Sequence, residues 1–217
     1  MKNSSKHSAN SLQNKHLNTV RQKIAIESAR LMSEEGINSF QYARKKAAQS
    51  LGIHNTQAYP DNEEILAQIK IHQSLYQSDS HQALIRDLRT TAIHAMKLLH
   101  DFNPRLTGSV LQGHAGEHSG IDIQVTADSA EEIALFLMAK NIPYQLIDWK
   151  LYFGRNDFSK KKSKHKPKIV PAYQFYADKH LLNLIVLSEN QRKRVPLSPV
   201  NGQTMQRASL KQVEALI

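Results

Sequence analysis

The stretch that most constrains this chain is residues 105–125, RLTGSVLQGHAGEHSGIDIQV. A short strand-like approach reaches Gly108-Ser109, a glycine-bearing loop passes through Gly113 and Gly116, and the run from Ile121 to Val125 alternates in a β pattern with Asp122 between two isoleucines. Glycine lets backbone N–H groups come close to a phosphate without interference from a Cβ, and a neighbouring hydroxyl adds a donor. A strand with a side-chain period of two turns Asp122 to the face opposite Ile121, Ile123 and Val125 and holds it rigidly there. The pattern implies a strand, a turn suited to phosphate, and a second strand carrying a carboxylate, where a divalent cation could bridge carboxylate and phosphate.

Upstream of this stretch the periodicity is helical. Leu17, Val20, Ile24 and Leu31 recur at helical spacing before Gly36; Phe40, Ala43, Ala47 and Leu51 share a face before Gly52. Asp61 is a fitting N-cap for a third helix through Ile65 and Ile69, with Glu63 and Glu64 favourable in its first turn. Leu84, Leu88, Ala92, Ala95 and Leu99 form a fourth, ended near Asp101 by Pro104. Downstream, Ser129-x-x-Glu132 is a capping box that opens the helix AEEIALFLMAKN. The runs YQLIDWKLYF, PAYQFYA and HLLNLIVLS read as strands, and a short helix is expected from Ser209-x-x-Gln212 onward. The expected fold class is α+β: a disordered lead over 1–16, a helical region over 17–103, and a mixed sheet with flanking helices over 104–217.

Gly108, Ser109, Gly113, Ser119 and Asp122 fall in register on G-S-x3-G-x5-S-D-x-D. Over residues 105–188 the chain thereby resembles the minimal nucleotidyltransferases of the polymerase-beta-like superfamily, as a degenerate member with a helical N-terminal region. The resemblance implies a nucleotidyltransferase-like mixed sheet, with Gly108, Ser109, Gly113 and Ser119 binding nucleotide and Asp122 as catalytic and metal-binding carboxylate. Gly120 departs from the pattern where the first of two paired aspartates belongs. A third family carboxylate lies on a later apolar strand, for which LLNLIVL is the best candidate, and there the chain has Asn183. The resemblance therefore implies an eroded metal centre that binds a nucleotide or nucleic acid, with transfer weak or absent. If active, it implies Mg²⁺ held by Asp122 and a nucleoside triphosphate, with Glu117 or another acid assisting.

Two other motifs compete. His114-Ala-Gly-Glu117-His118 fits H-x-x-E-H, in which two histidines one helical turn apart bind zinc. Gly113, Gly116 and Gly120 argue against the helix it needs, so these are read as loop residues. The stretch IAIESARLMSEEGINSFQYARKKAAQSLGIHNTQAY resembles the opening of a TetR-type repressor, the basis of an alternative as a DNA-binding or adaptor protein, with Thr56, Gln57 and Tyr59 making the base or phosphate interactions. Pro60 would end such a recognition helix almost as soon as it began.

The net charge is +10, and residues 155–168 carry seven basic residues against one acidic. Lys160, Lys161, Lys162, Lys164, Lys166 and Lys168, with Arg192, Lys193 and Arg194, are therefore candidate polyanion-binding residues, through Coulomb attraction and counterion release. Cysteine is absent, which excludes disulfides, thiolate metal sites and a cysteine nucleophile. No stretch has the apolar length of a membrane span, the N-terminal stretch has no apolar signal core, and the expected location is cytoplasmic.

Overall fold

The computed structural model describes residues 4–37, 39–76, 78–154, 167–198, 200 and 202–217. The chain divides into two compact units, Met1–Ser78 and Asp79–Ile217.

In the first unit α1 (Ser4–Glu34) is the element on which the others pack. It starts inside the stretch expected to be a disordered lead. Ile24 and Leu31, seven residues apart, lie on the face that meets Ala47 and Ala48 of α2 (Phe40–Ser50). Ala25 and Ala29, four apart, meet Ile65 and Ile69 of α3 (Asn62–Tyr76). Two adjacent apolar stripes on one helix thus organise a three-helix unit. Asp61 caps α3 reciprocally with Glu64: the Glu64 N–H donates to Asp61 Oδ1 at 2.8 Å and the Asp61 N–H to Glu64 Oε2 at 2.7 Å. Between α2 and α3 the chain makes only a three-residue 3₁₀ turn, Thr56–Ala58. That is too short for a recognition helix, so the TetR-like reading loses the element that would enter a groove.

The second unit is a five-stranded mixed sheet in the order β1-β2-β5-β4-β3. Its strands are β1 (Arg105–Thr107), β2 (Ile121–Thr126), β3 (Gln145–Leu151), β4 (Lys168–Ala177) and β5 (His180–Leu187). All pairs are antiparallel except β2 with β5. This is the α+β class expected. One face carries Leu106, Ile121, Ile123, Val125, Leu182, Leu184 and Val186, and forms the main core with Leu88, Ala92 and Met96 of α4 (Ser78–Leu98), Ile133 and Leu137 of α6 (Ala130–Ala139) and Val213 of α8 (Leu210–Glu214). Helix α4, expected to belong with the helical region, buries its apolar face here. The other face carries a smaller cluster of Leu151, Val170, Ala172, Ile185 and Leu187, packed by Trp149 and Met205.

Pro171 lies inside β4, an interior strand, where the missing N–H would break a ladder. It pairs with Asp148 of β3, while pairing to β5 begins only at Ala172, so on that side no neighbour awaits the missing donor. Among the described residues no helix is long and apolar enough to cross a membrane.

Candidate functional site

The structure brings Gly108 and Asp122 together. Antiparallel pairing sets Thr107 opposite Asp122, and the Thr107 hydroxyl donates to the Asp122 carbonyl at 3.2 Å. Gly108 follows at φ +74°, and a Cβ added there would stand 2.7 Å from Asp122 Oδ2. Only glycine admits both that backbone and that approach. The turn expected after Gly108 is instead a one-turn helix, α5 (Gly108–Gln112), ended by Gly113 at φ +76°. It lacks the amphipathic repeat by which a longer helix announces itself.

Register continues the polar row across the sheet. Thr107, Asp122, Asn183, Gln174 and Gln145 occupy one row on five strands, all directed to the face opposite the main core. Asn183 Nδ2 donates to Asp122 Oδ1 at 2.8 Å, and Gln174 Nε2 donates to Asn183 Oδ1 at 2.8 Å. An ionised carboxylate only accepts, so the Asn183 amide nitrogen faces Asp122 and its oxygen is left for Gln174. Asn183 itself is buried at 6% exposure. Burial pushes the Asp122 carboxyl up to about 6, against the opposing effect of the Asn183 donor. A pocket of about 350 Å³ opens on this face, lined by Thr107, Gly108, Asp122, Trp149, Ile185 and Met205 among others.

A two-cation centre does not fit this donor set. Divalent magnesium takes oxygen ligands, and the side chain bonded to the Asp122 carboxylate among the described residues presents an N–H. The asparagine oxygen, an atom that could ligate a cation in place of a lost carboxylate, is engaged by Gln174. At Gly120, a Cβ would fall 2.6 Å from Asn183 Nδ2, so the amide occupies space that an acidic side chain would need.

The other expected site residues are placed differently. Ser109 begins α5 beside Gly108, and its carbonyl accepts from the N–H groups of Gly113 and His114. Ser119 uses its hydroxyl locally, accepting from the Gly116 N–H at 2.9 Å, which closes a tight turn. Gly113 packs near Arg89, whose guanidinium donates to the carbonyls of Val110, Leu111 and Leu216 and so caps the C-terminal end of α5. Histidines 114 and 118 lie in a loop rather than on a helix, and no cluster of three or more potential ligands of the kind zinc needs occurs among the described residues. Arg192, in α7 (Glu189–Lys193), is tied to Glu189 by an Nε–Oε2 bond of 2.8 Å, while Lys193 and Arg194 are exposed. Lys168 is exposed at the start of β4; Lys160, Lys161, Lys162, Lys164 and Lys166 lie outside the described residues.

Sequence reasoning missed Gln174 and Arg89. Gln174 had a faint signal, a lone amide between Tyr173 and Phe175 in an apolar strand. Arg89 had none, because its three acceptors are 21 to 127 residues away.

No protein-family model matches the chain, and no curated protein matches it. A solved structure described as the structural basis for the activity of a cytoplasmic RNA terminal U-transferase is similar over 57% of this chain and 33% of its own, with 15% identity and a TM-score of 0.29. The match spans one third of that protein's chain.

Proposed function

We propose that this chain is a nucleotidyltransferase-fold protein with an eroded metal centre, which binds a nucleotide or nucleic acid and transfers nucleotidyl groups weakly or not at all. The observation that supports this reading is the pairing of Asp122 with Asn183 beside Gly108. In-line transfer assisted by two cations draws on several carboxylates to hold the metals and orient the attacking hydroxyl. Of the three carboxylates that the resemblance implies, Asp122 alone stands in register, and its Oδ1 already accepts from a neutral amide on the next strand, while Asp148 of β3 also lines the cleft. The cleft and the glycine turn remain as binding features, while the charge needed to concentrate metal does not.

The test is labelling of the full chain, or of added RNA, with labelled nucleoside triphosphates and Mg²⁺ or Mn²⁺, alongside direct measurement of nucleotide binding. Binding with little or no transfer is the expected result. Robust labelling that disappears in Asp122→Ala would overturn the erosion, and failure to bind any nucleotide or nucleic acid would overturn the whole reading.

A further inference from the structure

The edge of the sheet beyond β1 carries two arginines, Arg105 and Arg207, without counter-ions among the described residues. Leu106 and Ala208 exchange both backbone hydrogen bonds, at 3.0 and 2.9 Å, so the segment before α8 adds one antiparallel bridge outside β1. Both side chains enter the main core. Alternation then turns their neighbours Arg105, Thr107 and Arg207 to the opposite face, the face of Asp122, and continuing the bridge register sets Arg207 across from Thr107. Arg207 Nη1 donates to the Arg192 carbonyl at 3.1 Å, which brings the end of α7, and with it Lys193 and Arg194, to the same edge.

Arg105 and Arg207 are both half-buried. Burial, with the neighbouring charges of Arg105 and Arg192, holds Arg207 below its ordinary value. Half-buried guanidinium groups are normally matched by carboxylates or bound anions, because desolvation and mutual repulsion both act against them otherwise. The forked donors of arginine suit phosphate oxygens in particular.

We propose that Arg105 and Arg207, extended by Lys193 and Arg194, form a phosphate-binding edge next to the Thr107–Gly108 turn, taking either the polyphosphate tail of a nucleotide or the backbone of a nucleic acid. This rests on the function proposed above and deepens it, because it names the part of the ligand bound and the residues that bind it. The sequence marks Lys193 and Arg194 as candidate polyanion-binding residues but gives no sign of Arg105 or Arg207 in that role.

The experiment is titration of the full chain with inorganic tripolyphosphate and, separately, with a short single-stranded oligonucleotide at several salt concentrations. The parent is compared with Arg105→Gln, Arg207→Gln and a control change, Lys140→Gln, at a distant exposed position. The parent is expected to bind at least one probe. Each arginine variant is expected to weaken that binding by roughly tenfold and to lower the salt slope by about one unit for each phosphate it no longer neutralises, whereas Lys140→Gln leaves both unchanged. Weakening confined to tripolyphosphate assigns the edge to a nucleotide tail; weakening confined to the oligonucleotide assigns it to a strand backbone. A structural role alone would lower the melting temperature of the free variant, whereas a ligand role removes the rise that the probe induces. Parent binding that both arginine variants retain at equal affinity and slope overturns the proposal, as does a parent that binds neither probe. In the last case, nucleotide binding through the nucleoside would still leave the broader function standing.

Discussion

The side-chain amide of Asn183 donates to Oδ1 of Asp122 at 2.8 Å, across the single parallel strand pair of the sheet. A neutral donor thus stands beside the carboxylate; it opposes the rise that burial imposes on the Asp122 carboxyl and limits what side chains the site can admit.

Stability should fall as pH rises through the range in which Asp122 ionises. The carboxyl is pushed up to about 6 in the fold, above the value of about 4 expected for an unfolded aspartate. A raised acid binds more protons folded than unfolded, so its favourable contribution is complete below about pH 4 and is lost by about pH 6. The loss is on the order of 1–3 kcal/mol, reduced by partial exposure. Asp122→Asn keeps the acceptor for Asn183 and removes the titration. Melting temperatures from pH 4 to 8 should then show a shallower fall in the variant than in the parent; parallel curves would contradict the assignment to Asp122.

Gly108→Ala is expected to destabilise by about 1–3 kcal/mol, since it forces a side chain into a left-handed backbone and against Asp122 Oδ2. Pairing it with Asp122→Ala should recover part of that loss, because the clash is relieved while the backbone strain remains. Denaturant titration of the four proteins of this cycle reads the coupling directly, and strict additivity would show that the two residues do not touch.

Gly120→Asp alone should cost about 1–3 kcal/mol through overpacking against the Asn183 amide. With Asn183→Asp added, three carboxylates crowd the site and repel one another without metal. The double variant should therefore gain a melting-temperature rise of several degrees with Mg²⁺, measurable by calorimetry, that parent and single variant lack. No Mg²⁺ response in the double variant would show that these positions do not converge on one cation.

The basic stretch makes a separate expectation. Changing Lys160, Lys161, Lys162 and Lys164 to Ser should flatten the salt dependence of nucleic-acid binding, by roughly one unit for each phosphate left unneutralised, with the melting temperature nearly unchanged. Anisotropy titrations at several salt concentrations decide it. Equal slopes would restrict those lysines to solubility.

Residues whose structural reason is local were legible in the sequence. Alternation around Asp122 marked its strand and facing, Asp61 and Ser129 announced their helices, and the apolar run around Asn183 marked a strand. What joins these elements was not legible. Arg89 and Arg207 act on partners remote in sequence and made near only by packing, and Gln174 meets Asn183 only through the register of the β4–β5 hairpin. Ser119 illustrates a different case: a hydroxyl in a glycine-bearing loop serves a tight turn as readily as a ligand, and here it accepts from the Gly116 N–H.

The close approach of position 120 to Asn183 has an evolutionary consequence. A side chain at 120 meets an amide held on two sides, by Asp122 and by Gln174, so that amide cannot swing away without breaking both bonds. Gly120 and Asn183 are therefore mutually entrenched. An acidic residue at 120 is tolerated only after Asn183 has changed, and a change at 183 removes the donor that Asp122 now relies on. Since each single change is expected to lower stability, the route from this polar row to a carboxylate cluster passes through a less stable intermediate.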